Sequence, residues 1–218
     1  MPISQILITA GRASTGPVLP QGSFLVNGVS KTWAYTNATS PTYGSYTFPD
    51  TSTGSLHTLN GTNCVISESL GSFGTIAINL WFYPTSANTI IMSEFETGDE
   101  NSGYHYTMME ISSSNVLHAR IWPGAAPGIT CGNTVNLNAW NHVYYFYDAG
   151  TLSVSLNNGT AATGSVTRSA PSTTFLAIGV SDSTNLVTSA RYQGKFNDLN
   201  VSSTAGSTWT STKSKYGL

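Results

Sequence analysis

WNHVYYFYDAGTLSVSLNNG, residues 140–159, carries the clearest statement of the fold. Successive side chains of a strand point to opposite faces, so parity sorts them. Val143, Tyr145 and Tyr147 share one face, and His142, Tyr144 and Phe146 share the other. After a break at Asp148-Ala149-Gly150, Leu152, Val154 and Leu156 alternate with Ser153 and Ser155. Gly150 supplies the positive φ that a tight hairpin turn requires. The stretch therefore predicts a β-hairpin ending in a second turn at Asn158-Gly159. The core takes Val143, Tyr145, Tyr147 and the three aliphatics, which leaves His142, Tyr144 and Phe146 on the opposite side.

The same alternation extends outward in both directions. In TIAINLWFYP (75–84), Ile76, Ile78, Leu80 and Phe82 oppose Ala77, Asn79, Trp81 and Tyr83. In VLHARIWPG (116–124), Leu117, Ala119 and Ile121 read as core, opposite His118, Arg120 and Trp122. FLAIGV (175–180) is a further strand. YQGKFNDLNV (192–201) changes phase partway, and a bulge near Asn197-Asp198 would bring Phe196, Leu199 and Val201 to one face. Between these runs lie Gly, Asn, Pro, Ser and Thr clusters, and no stretch has helical periodicity, so the chain reads as all-β.

Composition agrees. The 218 residues are 39% hydrophobic and 11% aromatic, enough for one large domain with its own core. Only 8% are charged, against roughly 25% in an average protein; Ser, Thr, Asn and Gly stand in their place. The net charge is −2 with no basic stripe, which argues against nucleic-acid binding. No apolar run approaches the ~20 residues that span a bilayer. The opening MPISQILITAGRASTG lacks a basic n-region, and Ile6-Leu7-Ile8 is too short for a signal-peptide core.

Few residues suggest chemistry. Cys64 and Cys131 read as two small buried hydrophobes, with a disulfide as the alternative. EFETGDE (94–100) gathers Glu94, Glu96, Asp99 and Glu100 in what reads as a solvated loop; an oxygen-rich Ca²⁺ loop is the alternative, and no metal is assigned. His57, His105, His118 and His142 stand in no nucleophile–base spacing. Nothing in the sequence calls for a cofactor.

Five stretches in order, LNGTNCVI (59–66), TIAINLWFYP, WNHVYYFYDAGTLSVSLNNG, FLAIGV and YQGKFNDLNV, resemble the strand motifs of the LamG-like, or concanavalin A-like, lectin jelly rolls. The resemblance covers about residues 43–202. It implies a two-sheet antiparallel jelly-roll β-sandwich over residues 31–218, preceded by an extended N-terminal arm, residues 1–30, rich in Pro and Gly. The fold also hosts glycoside hydrolases, but their E-x-D-x-E arrangement is missing here, so the resemblance points to binding and not to catalysis.

If the strands are neighbours, Trp81, His118, Arg120, Trp122, His142, Tyr144 and Phe146 form one aromatic, Arg-containing face. Such residues are enriched at binding hot spots, and such a patch is rarely left bare. The occupant is the chain's own arm or loops, another subunit of a homo-oligomer, or a glycan. An adhesive fold without an export signal, and a surface poor in charge, together imply a non-enzymatic virion surface protein of a tailed phage. It would be a capsid decoration protein or a fibre or tail adhesin, displayed on the virion surface. Its arm would attach to other virion proteins through Ile3, Leu7, Val18 and Leu19. The alternative is an extracellular module, a secreted carbohydrate-binding or adhesion unit of a larger protein.

Overall fold

The computed structural model describes residues 22–36, 41–95, 105–121, 128–168, 174–179, 192–205 and 213–218. The described residues form fifteen strands and a closing 3-10 turn, Lys213–Tyr216. In chain order the first eight strands are β1 (Ser23–Val26), β2 (Val29–Thr36), β3 (Thr42–Thr47), β4 (Thr53–Asn60), β5 (Val65–Ser67), β6 (Ile76–Pro84), β7 (Thr89–Phe95) and β8 (His105–Ile111). The other seven are β9 (Val116–Ala119), β10 (Ile129–Thr134), β11 (Asn141–Asp148), β12 (Thr151–Leu156), β13 (Ala162–Ser165), β14 (Phe175–Ile178) and β15 (Gln193–Ser202).

These strands build an all-β, jelly-roll-like sandwich, but not as two separate antiparallel sheets. Hydrogen bonds link them along one path, β10-β9-β8-β7-β14-β5-β2-β1-β15-β6-β11-β12-β13, with β4 added to β15 and β3 to β4. The pivot is β2. Its residues 29–32 pair with β1 and its residues 33–36 with β5, so one strand belongs to both arms of the path. A two-residue turn at Asn27-Gly28, with φ of 49° and 78°, fixes β1 antiparallel to β2. That leaves β1 parallel to β15. At the far ends, β10 packs on β12 and β13, and Asn133 Nδ2 donates to Leu156 O at 3.0 Å, so the path nearly closes on itself.

The hairpin forms as its alternation predicts. β11 and β12 pair from Val143↔Leu156 to Asp148↔Thr151, and Ala149 and Gly150 turn with φ of 44° and 86°. Val143, Tyr145, Leu152, Val154 and Leu156 are fully buried. The second turn sits one residue earlier than expected. Asn157 and Asn158 take the positive φ, and Gly159 N donates to Leu156 O. Asparagine tolerates the left-handed region, so the glycine is not needed at the turn centre. Strand β15 has the expected irregularity: its pairing with β6 shifts between Asn197 and Asn200, Asp198 has φ 48°, and Phe196, Leu199 and Val201 all reach the core.

Within the segment expected as the N-terminal arm, residues 23–26 and 29–30 pair in the sheet; the anchors Ile3, Leu7, Val18 and Leu19 lie outside the described residues. And β6 is buried on both faces, Trp81 as fully as Leu80. One face joins the main core with Leu117, Ala119 and Ile121. The other lies under a second cluster of Phe48, Leu56, Trp81, Trp140 and Tyr216. Cys64 and Cys131 are both buried, and neither forms a disulfide.

Candidate functional site

The residues expected on one aromatic face are divided between the two arms of the path. Trp81 lies on β6 and His142, Tyr144 and Phe146 on β11, where the register places His142 opposite Trp81. His118 lies on β9, and Arg120 follows it; both belong to the other arm, with the core in between. There Thr130 Oγ1 lies 3.0 Å from His118 Nδ1, and Arg120 Nη2 donates to Glu110 Oε1 at 2.6 Å. Trp122 lies outside the described residues.

The Trp81 half of the face is covered by the chain itself. The C-terminal turn lays Tyr216 flat on Trp81, with ring centroids 4.1 Å apart and planes 12° from parallel. Trp140 and Phe48 close around the same tyrosine at 4.7 and 5.4 Å. His142 is sealed beside Trp81, and burial pulls its pKa down to about 4. Tyr144 and Phe146 stay half-buried, with near-parallel rings 6.2 Å apart.

The acidic stretch contributes no open carboxylate at Glu94. Arg168 Nη1 and Nη2 donate to its two oxygens at 2.8 and 2.7 Å, and Thr174 Oγ1 adds a third bond at 3.1 Å. Both side chains are 1% exposed. Glu94 is therefore a core ion-pair partner and not a ligand or an acid catalyst; Glu96, Asp99 and Glu100 lie outside the described residues.

A concavity opens elsewhere, at the bulge of β15. Along one edge of β15, β4 pairs with residues 193–196 and β1 with residues 200–201. Asn197, Asp198 and Leu199 have no strand against that edge among the described residues. At ~3.3 Å per residue the gap is about 10 Å long. A cavity of about 230 Å³ fills it, lined by Ser23 and Phe24 of β1, Ser55 and His57 of β4, Tyr43 of β3, and Asn197, Asp198 and Lys215 among others.

The floor is aromatic. His57 stacks on Phe196 at 5.0 Å with planes 3° apart, and Trp33 meets Phe196 edge-on at 5.7 Å. Tyr43 lies 4.8 Å from His57 and is the half-exposed ring of the set. Gly22 passes so close over His57 that an added Cβ would stand 2.0 Å from Cε1, and its φ of 95° favours glycine independently. The rim is polar. Lys215 Nζ lies 3.0 Å from Asp198 Oδ2, and the Tyr216 hydroxyl donates to the same oxygen at 2.6 Å. Asn197 Nδ2 donates to that hydroxyl at 3.0 Å. Burial, then the adjacent Asp198 charge, push the Tyr216 pKa well up, so the phenol stays a donor.

Sequence reasoning did not assemble Tyr43, His57, Asp198 and Lys215 into a site, because they come from four separate segments. The one visible signal was the phase change at Asn197-Asp198, since a bulge both re-aims side chains and ends pairing. Among the described residues no group of three or more His, Cys, Asp or Glu is placed to hold a metal ion.

A heptameric SAP-like pentraxin from Limulus polyphemus superposes with a TM-score of 0.52 at 18% identity, over 65% of this chain and 69% of that one. Domain 4 of an extracellular arabinanase from Geobacillus stearothermophilus, solved with arabinotriose, gives 0.48 at 14% identity, over 78% and 82%. A carbohydrate-binding module of a Ruminococcus gnavus sialidase, bound to sialyllactose, gives 0.48 at 14% identity, over 62% and 79%. No curated protein matches the sequence. Residues 60–208 match a laminin G-type family model, and with that span covered the chain belongs to the concanavalin A-like lectin/glucanases superfamily.

Proposed function

We propose that the chain is a non-catalytic glycan-binding protein displayed on the surface of a tailed-phage virion. The carrying observation is the cavity at the β15 bulge, which sets a half-exposed tyrosine ring beside hydroxyl, amide and charged groups. That mixture suits a sugar, which presents an apolar C–H face and a polar edge. Cleavage of a glycosidic bond takes two carboxylates flanking the bond. Among the described residues Asp198 is the one carboxylate lining the cavity, and Lys215 and Tyr216 already engage it.

Placement on a particle rests on different observations. Charged side chains are scarce, and the two cysteines are buried in the fold without a disulfide. Disulfides are rare where the cytosol keeps thiols reduced, which suits assembly inside a host cell better than secretion. Two measurements test the two halves. A glycan array probed with the full chain should give carbohydrate hits, and an array without any removes the binding half. In a density gradient of the native source, peptides from residues 140–159 should travel with particles. Their recovery in the soluble or secreted fraction replaces the virion half with a free extracellular module.

A further inference from the structure

We infer that the gap in the β15 edge is a closed-ended site for one neutral sugar residue at a glycan terminus, and that the C-terminal turn supplies part of it. The inference rests on the glycan-binding reading and narrows it.

Length comes first. The gap is bounded along the strand by β4 at residue 196 and by β1 at residue 200. An opening of about 10 Å accepts one pyranose ring between two paired strands. Among the described residues, β4 and β1 bar a longer glycan from continuing along this edge. The volume agrees: about 230 Å³ is below the ~300–1,000 Å³ of pockets that enclose drug-sized ligands.

Charge comes second. The lining holds one cation and one anion in contact, Lys215 and Asp198 at 3.0 Å. A sugar carboxylate would meet Asp198 beside the Lys215 ammonium, and would have to displace Asp198 to use it. A neutral sugar faces no such conflict. Each of its hydroxyls both donates and accepts. Asp198 Oδ1 can accept from one hydroxyl, and an N–H of Lys215 can donate to its neighbour. Such a vicinal pair suits a pyranose whose C–H face rests on Tyr43. The clamp is held in place through Asp198 Oδ2, which takes the bonds from Lys215 and Tyr216 and leaves Oδ1 directed by them.

Assembly comes third. Lys215 belongs to the terminal 3-10 turn, and that turn is fixed by Tyr216 stacked on Trp81. The site thus joins β1, β4, the bulge of β15 and the last residues of the chain. Its affinity depends on a contact with Trp81, which does not line it.

The test is an NMR titration of the ¹⁵N-labelled full chain. Galactose, glucose and N-acetylglucosamine serve as neutral probes, N-acetylneuraminic acid and glucuronic acid as anionic ones, and neutral linear hexasaccharides as extended ones. At least one neutral monosaccharide should shift the amides of Tyr43, Asn197, Asp198 and Lys215. Asp198→Asn keeps the left-handed backbone, and Lys215→Met removes the ammonium, which also lies 4.3 Å from the Phe48 ring centroid, while keeping an unbranched apolar side chain. Each should weaken that sugar about tenfold, as expected for one charged hydrogen bond, while the rest of the spectrum stays in place. The hexasaccharide should bind within about threefold of its terminal monosaccharide, having gained no second subsite. Three outcomes overturn this inference and leave glycan binding standing: preference for the anionic sugars, affinity that climbs with chain length, or neutral-sugar shifts that ignore both substitutions. If neither the titrated sugars nor the array bind, the inference and the reading beneath it both fall.

Discussion

At the scale of single residues, Glu94 and His142 have fates that their neighbours in sequence do not reveal. Glu94 opens an acidic run that reads as solvated, because its partner Arg168 is 74 positions away. Inside the core the pair is held bidentately, and Arg168 Nε also donates to Phe73 O at 3.1 Å. Removing one member of a buried pair strands the other charge, so Arg168→Met should cost about 3–5 kcal/mol. The double variant Glu94→Gln/Arg168→Met should recover much of that, and urea denaturation of the full cycle measures it. Equal losses in single and double variants would mean that packing, and not the stranded charge, sets the cost. For His142, burial lowers the folded pKa to about 4, below the unfolded 6.5. Above pH 6.5 the ring is neutral in both states and contributes no pH dependence. As the pH falls from 6.5 towards 4, the unfolded chain takes up the proton first, and stability drops by about 3 kcal/mol. Denaturation midpoints of the parent and of His142→Gln should therefore diverge across that window, with the variant the flatter of the two.

At the scale of elements, legibility follows periodicity. The β11–β12 hairpin was readable from residues 140–159 because parity alone separates its faces, and every residue assigned to the core is buried. The same rule assigned Trp81 to the face away from the core, but could not show what lies there. The covering element, Lys213–Tyr216, is one short turn with no period to detect, and its anchor ring lands 135 positions from its partner. The structure therefore favours the chain's own segment as the occupant of the Trp81 end of that face, with the C-terminal turn in the role expected of the arm. Tyr216→Ala should destabilise the fold by about 2–4 kcal/mol, in the range for a buried large side chain cut to alanine. It should also shift tryptophan emission to the red as Trp81 and Trp140 meet water. The variant should lose sugar binding as well, since Lys215 loses its fixed position. Parent-like emission would show that Tyr216 does not seal those rings.

At the scale of the whole molecule, the order of motifs gave the family resemblance, whereas the closure of the fold was hidden. Closure depends on β1, four residues within a Gly- and Pro-rich stretch, which pair with β2 on one side and β15 on the other. Without β1 the path is cut between β2 and β15, the buried Phe24 and Val26 are lost, and the bulge cavity loses one wall. Deleting residues 1–21 removes none of the described pairings, while deleting residues 1–28 removes all of β1. The longer deletion should cost more than the shorter by at least ~5 kcal/mol, since a buried Phe alone is worth about 3–5. That is comparable to the whole stability of many domains. The two thiols locate the damage. Cys64 adjoins β5, which pairs with the second half of β2, and Cys131 lies on β10 at the far end of the path. In the parent neither should react with a thiol reagent before global unfolding, because both are buried. In the longer deletion Cys64 should become reactive at lower denaturant than Cys131, because both lie on the same arm and its end nearest the cut opens first. Simultaneous reaction of both would mean that the path unfolds as one unit even after the cut, and protection equal to the parent would mean that β1 does not hold the two arms together.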